Sequence, residues 1–442
     1  MRRCCSRWRG GAIAVRCTPE RPWLRPAVYS LALAVYCSSW TFYGAVGSAV
    51  RNGAGYLPIY LGPLLMLLFG WRIVERLALI ARSENTVSIA DFISSRYGRS
   101  RRLAALVAVI ALVGVVPYLA LQYKAVAMSL QVLSGQSSAG APFYADPALY
   151  VALGMALFAT LFGTRQVDAT EHHHGMMLAI ALESVVKLLA MVAVGVFAYV
   201  WLSARDGGQV LASTRTLFQN TPPVGFISQT LLSFLALVCL PRQFHVAVVE
   251  CSDIGDIRKA RWLFGLYLVL ISAMVVPIAA AGIALFGGGD VADDSIVLAL
   301  PLAESRTALA LVAYVGGFSA ATGMVIVSSI ALATMISNDL VMPVLLRRRG
   351  HQAAGADVAS KVLWIRRLAD PAAGADRLWL LPQQQQRHHA GLVRADGLRR
   401  GGAVRARGDR RAVLARRTAA RAWRPAWCWA SPPGSTRCCC RR

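Results

Sequence analysis

The chain has 442 residues with a formal net charge of +25, of which 56% are apolar and only 16% charged, and its mean hydropathy is +0.50. So apolar a chain cannot hide its hydrophobic surface in one water-soluble core, which excludes a soluble globular enzyme and makes the bilayer its solvent. The charge does not call for nucleic acid as a partner: residues 1–26 carry seven Arg against Glu20, and residues 350–442 carry eighteen Arg and Lys361 against five Asp, which leaves +5 on residues 27–349.

Taken from the start, the basic flank 1–26 has no apolar run that ends in a small-residue cleavage site, so no cleaved signal peptide is read there. Its Cys4, Cys5 and Cys17 form neither a disulfide framework nor a metal-ligand spacing with the other cysteines. About twenty apolar residues cross the hydrocarbon core as a helix. On that criterion eight spans are expected: Val28 to Ala49, Tyr56 to Ile80, Leu103 to Leu133, Pro147 to Gly163, Met176 to Trp201, Val224 to Leu240, Trp262 to Phe286 and Ala308 to Leu346.

The first span contains Ser38, Ser39, Trp40, Thr41, Phe42, Tyr43 and Gly44. Such hydroxyls and glycines suit a membrane helix that opens, with free backbone groups around a small solute. Ser38, Ser39, Trp40, Thr41 and Tyr43 are therefore candidate substrate-binding residues, although small and hydroxyl residues also serve close helix packing. In the third span Gln122 and Lys124 lie toward the outer end, where a lysine snorkels to the interface. Between the fourth and fifth spans His172, His173 and His174 are consecutive and do not share a helix face, so no metal site is expected there.

The fifth span carries Glu183 and Lys187, four residues apart on one face. Ionisable residues at that depth line a pathway or neutralise each other as a structural pair, and both readings stand. In the sixth, Gln229 and Ser233 are further candidate substrate contacts, and Pro241 marks a helix end at the cytoplasmic interface. The eighth is dense in small and hydroxyl residues; Thr322, Ser328 and Ser329 join Glu183 and Lys187 as candidate ion-pathway residues, since hydroxyls offer oxygen ligands to a hard cation such as sodium.

Arginine in the connections sets the orientation, because short cytoplasmic loops are enriched in Lys and Arg. The basic connections follow the second, sixth and eighth spans, so both ends are expected in the cytoplasm. No phosphate-binding glycine loop and no serine or cysteine triad occurs, so no catalytic residues are assigned and the chain does not read as an enzyme.

Five strings together resemble a known family: Ser38 to Gly44, Leu57 to Pro63, Ser88 to Gly98, Leu240 to His245 and Ser337 to Leu340. They are similar to the sodium/solute symporter family, in particular the symporter-like membrane domain at the front of certain bacterial sensor histidine kinases. The resemblance spans about Pro26 to Arg349. It implies an all-α, inverted-repeat (LeuT-like) bundle in the bacterial inner membrane, with the first and sixth spans unwound around a small solute such as an amino acid. The alternative it implies is the ligand-sensing input domain of a two-component signalling kinase, with no kinase module in this chain. In symporters of this kind a Ser/Thr pair on the eighth core helix helps hold sodium; aligned on Ile336 to Leu340, that pair falls at Gly323 and Met324, which lack hydroxyls and argue against sodium.

Relatives carry one helix before the first span and two after the eighth, so the bundle reads as truncated. The Arg-, Cys- and Trp-rich composition of residues 1–26 and 350–442 is that of GC-rich DNA translated out of frame. Both flanks are expected to be non-native and without a stable fold, because their apolar residues follow no helical or strand period and their arginines repel.

Overall fold

A computed structural model describes residues 24–135, 150, 153–154, 174–205, 215, 217, 225–287 and 292–343. Residues 1–23 and 344–442, most of the fourth expected span and the histidine run up to His173 lie outside the described residues. All regular structure among the described residues is helical.

The first expected span is two helices. Helix α1 (Leu24–Leu33) tightens into a 3-10 turn at Ala34–Tyr36 and stops; the chain resumes in a π turn at Trp40–Gly44 and continues as α2 (Ala45–Asn52). Gly53, at φ +56°, turns the chain where any side chain would run into the carbonyl of Leu217. Helix α3 (Pro58–Leu68) opens on a proline, which has no N–H to leave unpaired in the first turn.

The second expected span therefore ends early, at Phe69-Gly70. Helix α4 (Trp71–Ser83) buries Val74, Ala78 and Ala81 on one face and exposes Arg72, Arg76 and Arg82 on the other. That amphipathic pattern suits a helix lying at an interface rather than crossing. Helix α5 (Ile89–Arg96) is N-capped by Ser88, whose Oγ accepts from the Asp91 N–H at 3.0 Å.

The third, fifth and seventh expected spans appear as the long helices α6 (Arg101–Ser134), α7 (His174–Ser203) and α10 (Ile254–Phe286). The sixth is α8 (Phe226–Cys239), and it does not end at the interface: after Leu240 the chain bends by 53° and continues through α9 (Pro241–Phe244) and a π turn at His245–Val249. Proline has no N–H to donate and drives the preceding residue out of the helical region, and Leu240 is extended at φ −72°, ψ 129°. Residues 241–248 are nonetheless buried. A proline before an arginine is an ordinary helix-end signal, and only packing distinguishes a surface end from an internal break.

In the connection between the seventh and eighth expected spans lies a buried helix α11 (Ile296–Ala303), too short to cross and so missed by the span criterion. The eighth span is α12 (Thr307–Met335), extended by a π turn at Ile336–Val341. Thus, among the described residues, α6, α7, α10 and α12 are long and apolar enough to cross a bilayer, and the bent α8–α9 segment makes up to five, while Leu24–Tyr36 and Pro58–Leu68 are shorter apolar helices.

Helix α12 is central: 61% of its most apolar stretch is buried, against 28% for α6. It packs on α6 and α7, α7 packs on α10, α1 lies against both α7 and α10, and α3 lies along α8. The outward faces carry a belt of exposed large apolar side chains, including Leu106, Ile110, Leu182, Leu189, Leu232, Leu266 and Leu311. In water such a belt is an aggregation surface; in lipid it is the ordinary exterior of a helical bundle. Glycines set the close approaches inside: a Cβ at Gly62 would meet Ser233 and the Phe234 backbone of α8, and one at Gly317 would enter the Tyr43 ring.

Candidate functional site

The break between α1 and α2 is written locally. Cys37, Ser38 and Ser39 follow the 3-10 turn, and serine side chains compete with the helix ladder by bonding to nearby backbone. Cys37 is extended, at φ −77°, ψ 96°, and the Ser38 carbonyl accepts from the Phe42 N–H at 3.1 Å and from Thr41 Oγ1 at 2.7 Å. The Thr41 carbonyl in turn accepts from the Tyr60 hydroxyl of α3 at 2.7 Å. A π turn follows, a feature concentrated at functional sites.

Two neighbouring helices supply partners for the groups that the break frees. From α6, Gln122 Oε1 accepts from the Ser39 N–H at 3.1 Å and from Ser39 Oγ at 2.7 Å, while the Tyr118 hydroxyl lies 2.8 Å from Ser38 Oγ. From α7, Lys187, only 3% exposed, donates to the carbonyls of Ala34 at 2.6 Å and Cys37 at 2.8 Å. Charge-assisted bonds of this kind are about twice as strong as neutral ones. The ammonium thus sits on the break, and its contact with Glu183 is not an ion pair among the described residues. Glu183 turns instead toward α12: Thr322 Oγ1 approaches Glu183 Oε1 at 3.3 Å, Ser319 Oγ donates to the Glu183 carbonyl at 3.1 Å, and Glu183 Oε2 is buried without a hydrogen bond.

The second break, at Leu240-Pro241, approaches the first at Tyr118 of α6. The Arg242 guanidinium lies 4.6 Å from the centre of the Tyr118 ring, so Tyr118 touches both breaks, one through its ring and the other through its hydroxyl. Gln243 is fully buried with neither amide atom hydrogen-bonded.

Of the residues that the sequence singles out, Ser38, Ser39 and Thr41 stand together at the first break. Trp40 stacks over Gly44, and Tyr43 is buried against Gly317 with its hydroxyl 3.4 Å from the Ala313 carbonyl, so both act in packing. Ser233 lies at the α3–α8 contact. Gln229 is exposed at the start of α8, eleven residues before Leu240 and so roughly 16 Å along the helix axis from the break. Ser328 and Ser329 are buried in α12, Ser328 Oγ without a partner.

Tyr118, Arg242 and Gln243 were not singled out as site residues. The proline-arginine step was their one visible signal, and it reads equally well as a surface helix end. Two of the familiar strings also meet: Ser88 Oγ lies 3.4 Å from Asp339 Oδ2, in a polar pocket of about 200 Å³ with Asp91 and Asn338. A larger groove, about 580 Å³ and lined by apolar residues such as Gly195, Met274 and Pro277, runs between α7 and α10, away from both breaks.

The two aligned positions supply no side-chain oxygen to the shell that a sodium ion requires. At the aligned pair, Gly323 has no side chain and its Cβ position is taken by Glu183 Oε2, while Met324 is fully buried and apolar. The Ala34 and Cys37 carbonyls of the break are engaged by Lys187.

The architecture is thus that of a multi-pass helical membrane protein with two internally broken helices packed on a common third. Searched against known proteins, the chain matches no family model and no curated protein. Solved structures that it matches include a Na+-coupled sialic acid symporter in a substrate-bound, outward-open state, with a TM-score of 0.64 and 10% identity over 82% of this chain and 74% of that one. At that identity the likeness establishes a symporter-type fold and leaves substrate and coupling open.

Proposed function

We propose that this chain binds a small solute of the amino-acid class between the two helix breaks and carries it across the bacterial inner membrane. The observation that carries the reading is the junction of both breaks on one residue, Ser38 through the Tyr118 hydroxyl and Arg242 over the Tyr118 ring. Broken helices in an inverted-repeat bundle present unpaired backbone and short polar side chains near the midplane, where a solute exchanges them for its own polar groups. The symporter-type fold supports the same reading.

Coupling to sodium is not part of this proposal. The support is chemical: the break carbonyls already hold a tethered ammonium, and the aligned hydroxyl pair is replaced by Gly323 and Met324. Reconstituted into liposomes, the full chain should take up at least one radiolabelled L-amino acid saturably, at the same rate in sodium and choline buffers. Gln122→Leu, which leaves the Ser39 N–H and hydroxyl without their acceptor, should weaken uptake tenfold or more. Absence of both binding and uptake for all twenty amino acids would sink the proposal; binding without uptake would turn it toward the sensing input domain; a tenfold sodium requirement would refute the coupling part.

A further inference from the structure

We infer that Arg242 is the recognition residue for a negatively charged group, so that the solute of this site is a carboxylate. The inference rests on the solute-binding reading above and goes beyond it by naming the residue that reads the carboxylate. Arg242 is 4% exposed. Its guanidinium forms no hydrogen bond and no ion pair with any described residue, and Nε is buried without a partner. A buried guanidinium is costly unless a counter-charge and hydrogen-bond acceptors satisfy it.

Among the described residues the surroundings offer no such charge. Tyr118 contributes only its ring face, which attracts the cation but accepts no hydrogen bond from Nε. The nearest buried charged side chain on the first break is another cation, Lys187, already committed to the Ala34 and Cys37 carbonyls. Across the following turn Glu250 lies against His245, at 3.4 Å, rather than against the arginine.

A planar guanidinium with free donors matches a carboxylate in two parallel hydrogen bonds. The neighbouring Gln243 amide, buried with both a donor and an acceptor unused, has the chemistry to read a second polar group of the same molecule. Two such orphans, side by side in the chain at an internal break, are not explained by packing, since an apolar residue would fill the same space without the penalty. Amino acids and simple monocarboxylic acids share the required group, and sugars and amines do not.

The experiment measures binding to the purified full chain by thermal shift and scintillation proximity. The probes are L-amino acids, their carboxamides, short monocarboxylates and neutral polyols. Acids are expected to bind and the corresponding amides to bind at least about 100-fold more weakly. Arg242→Met should abolish acid binding and Arg242→Lys should weaken it about tenfold. Because the charge is uncompensated, Arg242→Met is also expected to raise the melting temperature of the ligand-free protein, whereas an arginine with a purely structural role would lower it on removal.

Equal binding of acids and amides, or undiminished acid binding by Arg242→Met, would overturn the inference. If Arg242→Met does not fold, the acid–amide comparison on the unaltered protein decides by itself. Binding of an L-amino acid and of its carboxamide alike, dependent on Gln122 but not on Arg242, would overturn this inference while leaving the solute-binding reading intact. Binding by no probe would overturn both.

Discussion

Single side chains in this protein are constrained most where helices nearly touch. Gly317 has the Tyr43 ring in its Cβ position, whereas Gly114, in the middle of α6, has open space. Gly317→Ala should therefore cost about 1–3 kcal/mol by overpacking, and Gly114→Ala should be neutral or gain up to about 1 kcal/mol by helix propensity. Melting curves in detergent distinguish the two, and equal shifts would show that the contact between the Trp40–Gly44 turn and α12 is looser than described.

Lys187 is the clearest case of a residue whose role differs from its pattern. Its spacing to Glu183 suits either a pathway or a neutralising pair, yet its ammonium goes to two carbonyls released by the α1 break. Removing it as Lys187→Met leaves the Cys37 carbonyl without its charged partner in a site too dry for solvent to replace it. A loss of about 2–4 kcal/mol follows from the usual penalty for stranded buried groups. Melting temperature reads this directly, and an unchanged value would mean that the break is held by other bonds.

At the scale of elements, the start of α10 is pinned to the start of α1 by one carboxylate. Asp253 accepts from the Gly255 N–H at 2.9 Å as an N-cap and pairs with Arg25 at 2.5 Å, while Arg25 also reaches Asp256 at 3.3 Å. The Gly255 N–H first, then the Arg25 guanidinium, hold the Asp253 carboxyl below the usual carboxylate range. An acid whose folded value is depressed contributes stability that is fully present above its unfolded value, near pH 4, and lost as pH falls through the folded one. Side-chain exposures of 40% and 51% make the effect small and salt-sensitive. Asp253→Asn should flatten the acid limb of the melting temperature against pH below about pH 4, and a limb identical to that of the parent would assign the acid sensitivity to other groups.

The elements also show where a pattern is readable and where it is not. Long spans such as α6 and α10 are legible because twenty or more apolar residues in a row have no other use. The break in α1 is partly legible, since Cys-Ser-Ser and the hydroxyls after it weaken a helix locally. The α8–α9 break is not, because Pro241 and Arg242 look the same at a surface end. Helix α11 is hidden for a different reason: eight apolar residues between acidic neighbours resemble a loop until α10 and α12 are seen to cover them.

For the molecule as a whole, the exposed apolar belt and the central position of α12 require a bilayer around the bundle. Alkaline carbonate washing of cell membranes should leave the full chain in the pellet and detergent should release it, despite the net charge of +25. Release by carbonate would mean that basic residues hold it to the surface by electrostatic attraction instead.

Composition by itself determined the solvent and the secondary structure: so apolar a chain must pair every backbone group inside a helix or a closed barrel, and its runs have helix length. Local chemistry determined that the first span opens, because hydroxyl side chains next to a backbone offer it alternatives to the ladder. Only the tertiary structure decided which charges are stranded and which are answered. Lys187 has partners because α7 lies against broken α1, and Arg242 has no acid beside it among the described residues because α6 offers it only a ring. A side chain's electrostatic cost depends on what other elements bring within a few ångströms, and that neighbourhood is not written in the spacing along the chain.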